Sequence, residues 1–418
     1  MIKYIQKNMN LKKVIVYCML ILAMLNACLR FTESGATTLY RLFSPIIVFI
    51  ILVKYFKKFK KEIAFILFLL MYNFVVSYIF YKNISLEYIL FSIYIFFVYV
   101  LVKYLKITDK NFSVNFMKFL HNWTSITLIL CWLQFFIRFK LPFLALPKKH
   151  GVNVYLSNEN EMGEALSCIL IIYLFLFIFF AKRKYFISIL CIIFFLFAGD
   201  VKLSLLGVFV AAAIFLVYKV YFSFLKRNID SKNYFIVVVF IGVIFIFSIF
   251  FFNPSLKFRD YNISIRDLIF EPIGCILKGE RMKSVGSIND RVNAIVFGIK
   301  ELILTKGFGI GLGNSVKMLE MTKYHLLTAK SMHNIIAQFL VEFGYLAMFV
   351  YFNFLNKTIS GFRKARKSKI YLLKATFTIA FIFISSQSSI GILSNYYTII
   401  ITIYLVLMEK NEAIAIKM

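Results

Sequence analysis

This sequence has no organised pattern of cysteines and no internal repeat, and it contains few acidic residues. The six cysteines are scattered, with no CxxC pair and no metal-ligand spacing, so neither a disulfide framework nor a zinc site is predicted. No internal repeat or low-complexity tract is present. Asp and Glu number only 19, against 49 Lys and Arg, which leaves a formal charge of +30. Fold class and function must therefore be inferred from hydrophobic content and from the placement of charge.

Hydrophobic residues are abundant enough to require a lipid environment. They make up 61% of the 418 residues, whereas a soluble domain is typically about 45–50% apolar. Apolar runs of about 15–22 residues recur along the whole chain, as membrane-spanning helices require. Within lipid the backbone must satisfy its own hydrogen bonds, and continuous apolar runs do so as helices. The sequence predicts an all-α, polytopic membrane helix bundle with about twelve transmembrane helices and one large extracytoplasmic loop.

The predicted bundle divides into three regions. Residues 1–252 form a membrane bundle of about nine spans, 253–333 a large extracytoplasmic loop with surface helices, and 334–418 a bundle of about three spans. The predicted spans are 14–29, 42–56, 63–80, 86–102, 119–137, 165–181, 185–199, 203–218, 234–252, 334–355, 370–386 and 395–408.

The positive charge follows membrane topology rather than nucleic-acid binding. On this segmentation, 28 of the 49 Lys and Arg fall on one side, mostly in short basic linkers between spans. Such a bias orients membrane proteins with their basic loops inside. Both termini are therefore expected in the cytoplasm, with membrane lipids as partners of these charges and no nucleic acid bound.

The first long outward segment, 138–164, ends in a polar stretch before a span. Asn158 followed by Glu161 matches the capping box of a helix N-terminus. Asn160 and Glu164 share one face of the same helix, which leaves substrate contact as the alternative role for this stretch.

The second outward segment, 253–333, is basic. It carries 12 Lys and Arg against 7 Asp and Glu, a net charge of +5. Long loops are largely exempt from the rule that places basic residues inside, so an anionic ligand is the simplest explanation. Arg291 lies in the first turn of a predicted surface helix, and Arg266 and Arg281 precede it in the loop. Arginine binds phosphate oxygens through a planar fork and stays charged, which indicates a phosphate site.

Alternate glycines follow that helix, in the segment GFGIGLGN that begins at residue 307. We call Gly307, Gly309, Gly311 and Gly313 the glycine ladder. The ladder is not a P-loop, because no Lys-Ser/Thr pair follows, and its spacing is not that of a dinucleotide fingerprint. Its exposed amides, those of Gly309 and Gly311 included, could form an anion-binding nest. A flexible connector between helices is the equal alternative.

His333 closes the large loop at the start of an apolar helix. The unperturbed pKa of histidine suits a general base, and a helix-capping histidine at the membrane interface is the alternative. Asn334, Gln338 and Glu342 form a polar stripe on an adjoining face of that helix. Gly344 leaves a bare patch on the face of His333, which a neighbouring helix or a lipid chain could approach.

Together these features indicate glycosyl transfer from a lipid-linked sugar. A base would deprotonate an acceptor hydroxyl, and arginines would stabilise the charge that grows on a departing lipid diphosphate. No DxD-type metal site is apparent and no sugar nucleotide is expected outside the cell, so neither metal nor cofactor is predicted.

The order of Arg291, GFGIGLGN and His333-Asn334, with nine residues before Gly344, resembles the signature of the O-antigen polymerase/O-antigen ligase superfamily of bacterial membrane proteins. The segment HNIIAQFLVEFGYLAMF is similar to that family's helix after the large loop. The resemblance implies that His333 is the base and Arg291 a diphosphate contact. Lys202 stands where family members often carry a second arginine.

The function that the resemblance implies is polymerisation of polyprenyl-diphosphate-linked oligosaccharide repeats at the outer face of a bacterial plasma membrane. A flippase and a chain-length regulator would be partners. A ligase that moves finished glycan to another acceptor is the closest alternative, and Ala347, three residues after the motif glycine, departs from the ligase pattern. A lipid-linked oligosaccharide flippase is the alternative from another class.

Overall fold

The protein is described here from a computed structural model. The residues that the structure describes are 11–31, 37–82, 84–142, 144, 147, 151–199, 201–225, 255–258, 261–264, 274–275, 277–278, 287–320, 332, 334–387 and 395–409.

Nearly all of the described chain is helical. The helices are α1 (Leu11–Met24), α2 (Leu39–Val76), α3 (Leu86–Thr108), α4 (Phe112–Ile137), α5 (Glu159–Phe180), α6 (Phe186–Ala198), α7 (Lys202–Leu225), α8 (Ser287–Leu304), α9 (Asn314–Glu320), α10 (Ile335–Phe343), α11 (Tyr345–Lys364), α12 (Lys369–Ile384) and α13 (Tyr396–Leu407). A π-helical turn, Ser77–Tyr81, extends α2, and short 3-10 turns span Arg183–Tyr185 and Ser385–Gln387.

Five helices in the described part of the chain are long and apolar enough to cross a membrane. They are Leu39–Tyr81, Leu86–Thr108, Phe112–Ile137, Glu159–Phe180 and Leu203–Tyr221. The apolar helix Tyr396–Leu407 is shorter. This architecture is compatible with a multi-pass membrane protein.

Two predicted span boundaries differ from the structure. The spans predicted at 42–56 and 63–80 both lie in α2, in which two helices join across a kink at Tyr55 (φ −116°, ψ 24°). The linker between them holds Lys and Glu but neither Gly nor Pro, and Lys and Glu are good helix formers. The span predicted at 334–355 is instead two helices, α10 and α11, separated at Gly344. The span predicted at 234–252 lies outside the described residues.

A two-stranded hairpin departs from the all-α prediction. Strands β1 (Ser255–Phe258) and β2 (Tyr261–Ser264) pair antiparallel, with Ser255 opposite Ser264 and Phe258 opposite Tyr261. Both strands lie in the predicted large loop, so the loop contains regular structure other than surface helices.

The chain divides into two compact units. Unit 1 comprises residues 1–75, 85–211 and 351–418, and unit 2 comprises 76–84 and 212–350. In unit 1, α13 packs against α1, α3 and α5, while α5 also packs against α6 and α12. Helix α5 is the most enclosed candidate span, with 72% of its apolar window buried. Some tyrosine hydroxyls in this core are paired, and that of Tyr173 lies 2.9 Å from His121 Nδ1.

Unit 2 is organised around α10. Helices α8 and α9 both pack against it. Its apolar core consists of Ala294, Phe297, Ile310, Met318, Leu319, Met332 and Val341, with Tyr81 packed alongside. This core holds Ile310 of the glycine-ladder segment, Met332 and Val341 of α10 in one packed structure.

Candidate functional site

The glycine ladder has left-handed backbone at every second residue. The four glycines have φ between 79° and 89°. The ladder lies against the junction of α10 and α11, where the amides of Ile310 and Gly311 donate to the carbonyls of Val341 and Glu342, each at 3.0 Å. In return, the amide of Tyr345 donates to the Gly307 carbonyl at 2.8 Å. These bonds join the loop to the helix junction along its length.

Gly344 makes this close approach possible. Its φ of 54° and ψ of −127° belong to a region that residues with a side chain avoid. A Cβ atom at Gly344 would lie 2.0 Å from the Gly307 carbonyl oxygen, and one at Gly309 would lie 2.5 Å from the Glu342 carbonyl oxygen. The bare patch predicted at Gly344 is therefore filled by the ladder backbone, which corrects the expectation of a helix or lipid chain there.

The Glu342 carboxylate is buried beneath the ladder and is surrounded by donors. Its Oε1 accepts from the Ser315 hydroxyl and, at 3.1 Å, from Gln338 Nε2. The amides of Gly313 and Ser315 also act on it as hydrogen-bond donors. The glycine ladder thus ends in an anion nest, and the anion in it is the chain's own carboxylate.

The predicted substrate contacts Gly309 and Gly311 have amides that already donate within the chain. The Gly309 amide donates to Thr305 Oγ1 at 3.2 Å, and that of Gly311 donates to the Glu342 carbonyl. This geometry favours the connector interpretation for these two amides. Their role in substrate binding stays a prediction, as does that of Glu342.

Asn334 caps the helix that follows the large loop. Its Oδ1 accepts from the amide of Ala337 at 3.0 Å. Along the predicted polar stripe Asn334 is half-buried, whereas Gln338 and Glu342 are buried. The capping role considered for His333 is therefore filled by its neighbour. His333 itself lies outside the described residues.

Arg291 occupies the first turn of α8, and its side chain lies outside the described part. A helix turns about 100° per residue, so position 291 shares a face with Ala294 and Gly298. Ala294 is fully buried, and a Cβ at Gly298 would meet Met332 Cε at 2.4 Å and Val341 Cγ2 at 2.6 Å. By register, position 291 thus lies on the face of α8 that packs against α10. The other two predicted arginines, Arg266 and Arg281, lie outside the described residues.

The capping box predicted at the start of α5 is present. Asn158 Oδ1 accepts from the Glu161 amide at 3.0 Å, while the Glu161 carboxylate accepts from the Ser157 amide at 3.1 Å. Asn160, in the same turn, is half-buried. Glu164, one turn further, is fully buried, and neither carboxylate oxygen has a hydrogen-bond partner among the described residues.

Lys202 is the first residue of α7, and its side chain lies outside the described part. The preceding residue, Val201, packs closely on α5, where a Cβ at Gly163 would lie 2.4 Å from Val201 Cγ1. Lys202 therefore directly follows Val201, which contacts Gly163, the residue before Glu164. This places Lys202 and Asn160 in unit 1, whereas the ladder, Asn334 and Glu342 belong to unit 2.

Sequence reasoning missed Ser315 as a member of the Glu342 cluster. Ser315 follows Gly313-Asn314 at the start of α9 and is 27 residues away from Glu342. Its local sequence predicts only a helix start. Only the folding of the ladder onto α10 brings the two side chains together.

In the described ranges, no group of three or more His, Cys, Asp or Glu is placed to hold a metal ion. The chain matches no protein-family model and no curated protein. Its function is therefore inferred from its residues and from the geometry above.

Proposed function

We propose that the chain is a metal-independent membrane glycosyltransferase that polymerises polyprenyl-diphosphate-linked oligosaccharide repeats. It would act at the outer face of a bacterial plasma membrane, in capsule, O-antigen or exopolysaccharide synthesis, with about twelve spans and both termini in the cytoplasm. The observation that carries the proposal is the packing of α8 on α10. This packing turns the helix face of position 291 toward the helix that begins directly after His333-Asn334. Arg291 belongs to one of these two helices, and in the sequence His333 directly precedes Asn334, the cap of the other.

In the proposed reaction His333 accepts the proton of an acceptor hydroxyl on one repeat unit. The hydroxyl oxygen bonds to the anomeric carbon of the growing chain as the bond from that carbon to the diphosphate breaks. The polyprenyl diphosphate leaves with the electron pair, and Arg291 stabilises its charge. Arg266 and Arg281 would add cations along the same loop. No cofactor takes part.

The glycine ladder supports this chemistry by holding the helix of the proposed base. Bonds from the ladder fix the last turn of α10, and the Asn334 cap and buried Met332 fix its beginning. A general base needs such fixed geometry, because small misplacements of a reacting group are costly in rate. Asn334 would contact the acceptor at the mouth of this helix, and Glu342 would hold the helix against the ladder.

Ligation of finished glycan to a different acceptor would use the same base and the same leaving group. A flippase for the lipid-linked oligosaccharide is the alternative from another class. Glu164 favours that alternative, because ionisable groups buried in membrane helices often mark transport pathways. Lys202 and Asn160, in the same unit, would then contact the transported lipid-linked anion.

Replacing His333 with Ala tests the proposed polymerase. In the host that makes the glycan, we expect loss of the length ladder on a gel and single repeats left on the carrier or acceptor. His325→Ala, in a loop histidine without an assigned role, is the matched control and should keep the ladder.

The same gel separates the alternatives. Long chains that remain on the lipid carrier would indicate a ligase, and repeats that accumulate on the cytoplasmic face would indicate a flippase. Unchanged glycan at normal protein level would remove His333 from the mechanism.

A further inference from the structure

Glu164 is the least satisfied charged side chain in the described part of the chain. It is fully buried in α5, a candidate membrane span, and both carboxylate oxygens lack hydrogen-bond partners among the described residues. The hydroxyl of Ser167, three residues further along the same helix, is also fully buried and also without a described partner. Two adjacent turns of α5 thus present three oxygen atoms that no described group binds.

Donors near Glu164 are committed elsewhere. Asn395, the cap of α13, donates its Nδ2 to the Glu161 carbonyl at 2.7 Å, and its Oδ1 accepts from the Thr398 amide at 3.1 Å. Glu161 accepts from Ser157 and Asn158 in the capping box. The hydrogen bonds that Asn395 and Glu161 form therefore do not include the Glu164 carboxylate.

No described positive charge offsets Glu164. The groups that interact with it electrostatically are Glu161 and Cys168 on its own helix, and both become negative when they ionise. On α13, Tyr397 interacts electrostatically with Cys168. From α12, Lys369 lies over Phe180 at the far end of α5, about 24 Å along the axis from Glu164. An isolated buried carboxylate is unstable, so its charge must be neutralised by something small.

Size and access limit what that ligand is. The Gly163 side of the helix is filled by Val201, and residues 161–173 of α5 are all buried, so a sugar or phosphate does not fit. Glu164 is nevertheless only about 7.5 Å along the axis from the start of α5, where Asn158 is exposed. A small cation from the aqueous phase therefore has only a short distance to travel to reach it.

We infer that Glu164, with the Ser167 hydroxyl, is an exchangeable binding site for a monovalent cation, either a proton or Na⁺. The site lies in unit 1 and does not depend on the proposed glycosyl transfer in unit 2. It gives the membrane bundle a cation-loaded state, in which the proton or Na⁺ balances the carboxylate charge, and an unloaded state, in which that charge is not balanced.

Labelling with dicyclohexylcarbodiimide tests this site. The apolar reagent forms a stable adduct with a protonated carboxyl in an apolar setting, and peptide mass spectrometry locates the adduct. In purified protein in detergent we expect an adduct on Glu164, absent in Glu164→Gln and retained in Glu161→Gln. For a proton site, labelling should fall about tenfold for each pH unit once the carboxyl ionises.

Exchange of sodium for an organic cation at constant ionic strength separates the two ligands. Protection of Glu164 by Na⁺ at fixed pH identifies a sodium site, and pH dependence without protection identifies a proton site. Absence of the adduct at every pH in protein that stays folded overturns the inference. So does labelling that is independent of both pH and Na⁺, since the group would then be permanently neutral. These readouts use wild-type protein, so they hold even if Glu164→Gln fails to fold.

Discussion

Two buried carboxyl groups show how differently one residue type can be used in this molecule. Glu342 has donors from a hydroxyl, a side-chain amide and the backbone. Glu164, equally buried, has no hydrogen-bond partner among the described residues. A buried charge is stable only when it is paired or hydrogen-bonded. Glu342 is therefore interpreted as part of the structure that holds α10, and Glu164 as a site for an exchangeable ligand.

Ser315→Ala tests the structural role of Glu342. The substitution removes one donor to a buried carboxylate, so we expect a loss of about 1.5–3 kcal/mol in the free energy of unfolding. Chemical unfolding of the purified protein in detergent, followed by circular dichroism, measures the change.

Ser92→Ala is the control for that measurement. Ser92 is half-buried and its hydroxyl donates to the Tyr88 carbonyl of its own helix at 3.0 Å. Loss of this hydroxyl should change the free energy of unfolding by less than about 0.5 kcal/mol, as is usual for substitutions away from buried polar clusters, caps and the core. Equal effects of the two substitutions would contradict a special role for Ser315.

At the scale of elements, the junction of α10 and α11 is the decisive feature of unit 2. A continuous helix through 344 would carry its backbone past the ladder, whereas the break at Gly344 turns the chain and exposes the carbonyls of Val341 and Glu342 to it. The ladder uses these carbonyls as acceptors, much as a capping segment satisfies the end of a helix. The conformation of the glycine ladder and that of the α10–α11 junction therefore stabilise each other.

Gly344→Ala should disrupt this junction. The added methyl group meets the Gly307 carbonyl oxygen at 2.0 Å, in a backbone conformation that alanine avoids. We expect a loss of at least about 2 kcal/mol in stability, or failure to accumulate in the membrane. The amount of folded protein after detergent extraction, by size-exclusion chromatography, measures the effect.

Gly274→Ala is the matched glycine control, because a Cβ there would have no atom within 4 Å. Its protein level should equal that of the unchanged chain. A Gly344→Ala protein as abundant and as stable as this control would show that the junction tolerates a side chain.

At the scale of the whole molecule, the apolar helices are compatible with a multi-pass membrane protein. Five described helices are long and apolar enough to span it, and many large hydrophobic side chains on them are exposed, as lipid contact requires. The basic linkers predict which side of the membrane each loop occupies. The proposed reaction requires the loop 253–333 to lie outside.

Cys275 offers a direct measurement of that orientation. It is a free, half-buried cysteine in the large loop. A membrane-impermeant maleimide added to intact cells should label it, and Cys275→Ser should remove that label. Labelling that requires permeabilised cells would place the loop in the cytoplasm and would exclude transfer at the outer face by this site.

The helix junctions show where sequence reasoning reached its limit. The caps at Asn158 and Asn334 follow from local side-chain chemistry, although the second was predicted as a polar-stripe residue rather than as a cap. The residues between the spans predicted at 42–56 and 63–80 are helical in α2, as their lysines favour, and the kink lies just before them at Tyr55. The sequence predicted a bare patch at Gly344, but it could not predict that the backbone of the glycine ladder fills that patch.

By itself, the amino-acid sequence determined that this protein is helical and compatible with a membrane, because hydrophobic content and helix caps depend on residues close together in the chain. Only the tertiary structure decided that the glycine ladder rests on α10 and that its anion nest holds Glu342. It likewise decided that position 291 faces the helix after His333 and that Glu164 is buried without a described partner. These facts depend on contacts between segments far apart in sequence, which packing alone selects. Local sequence patterns can predict which residues are unusual, but not which residues each of them contacts in the folded chain.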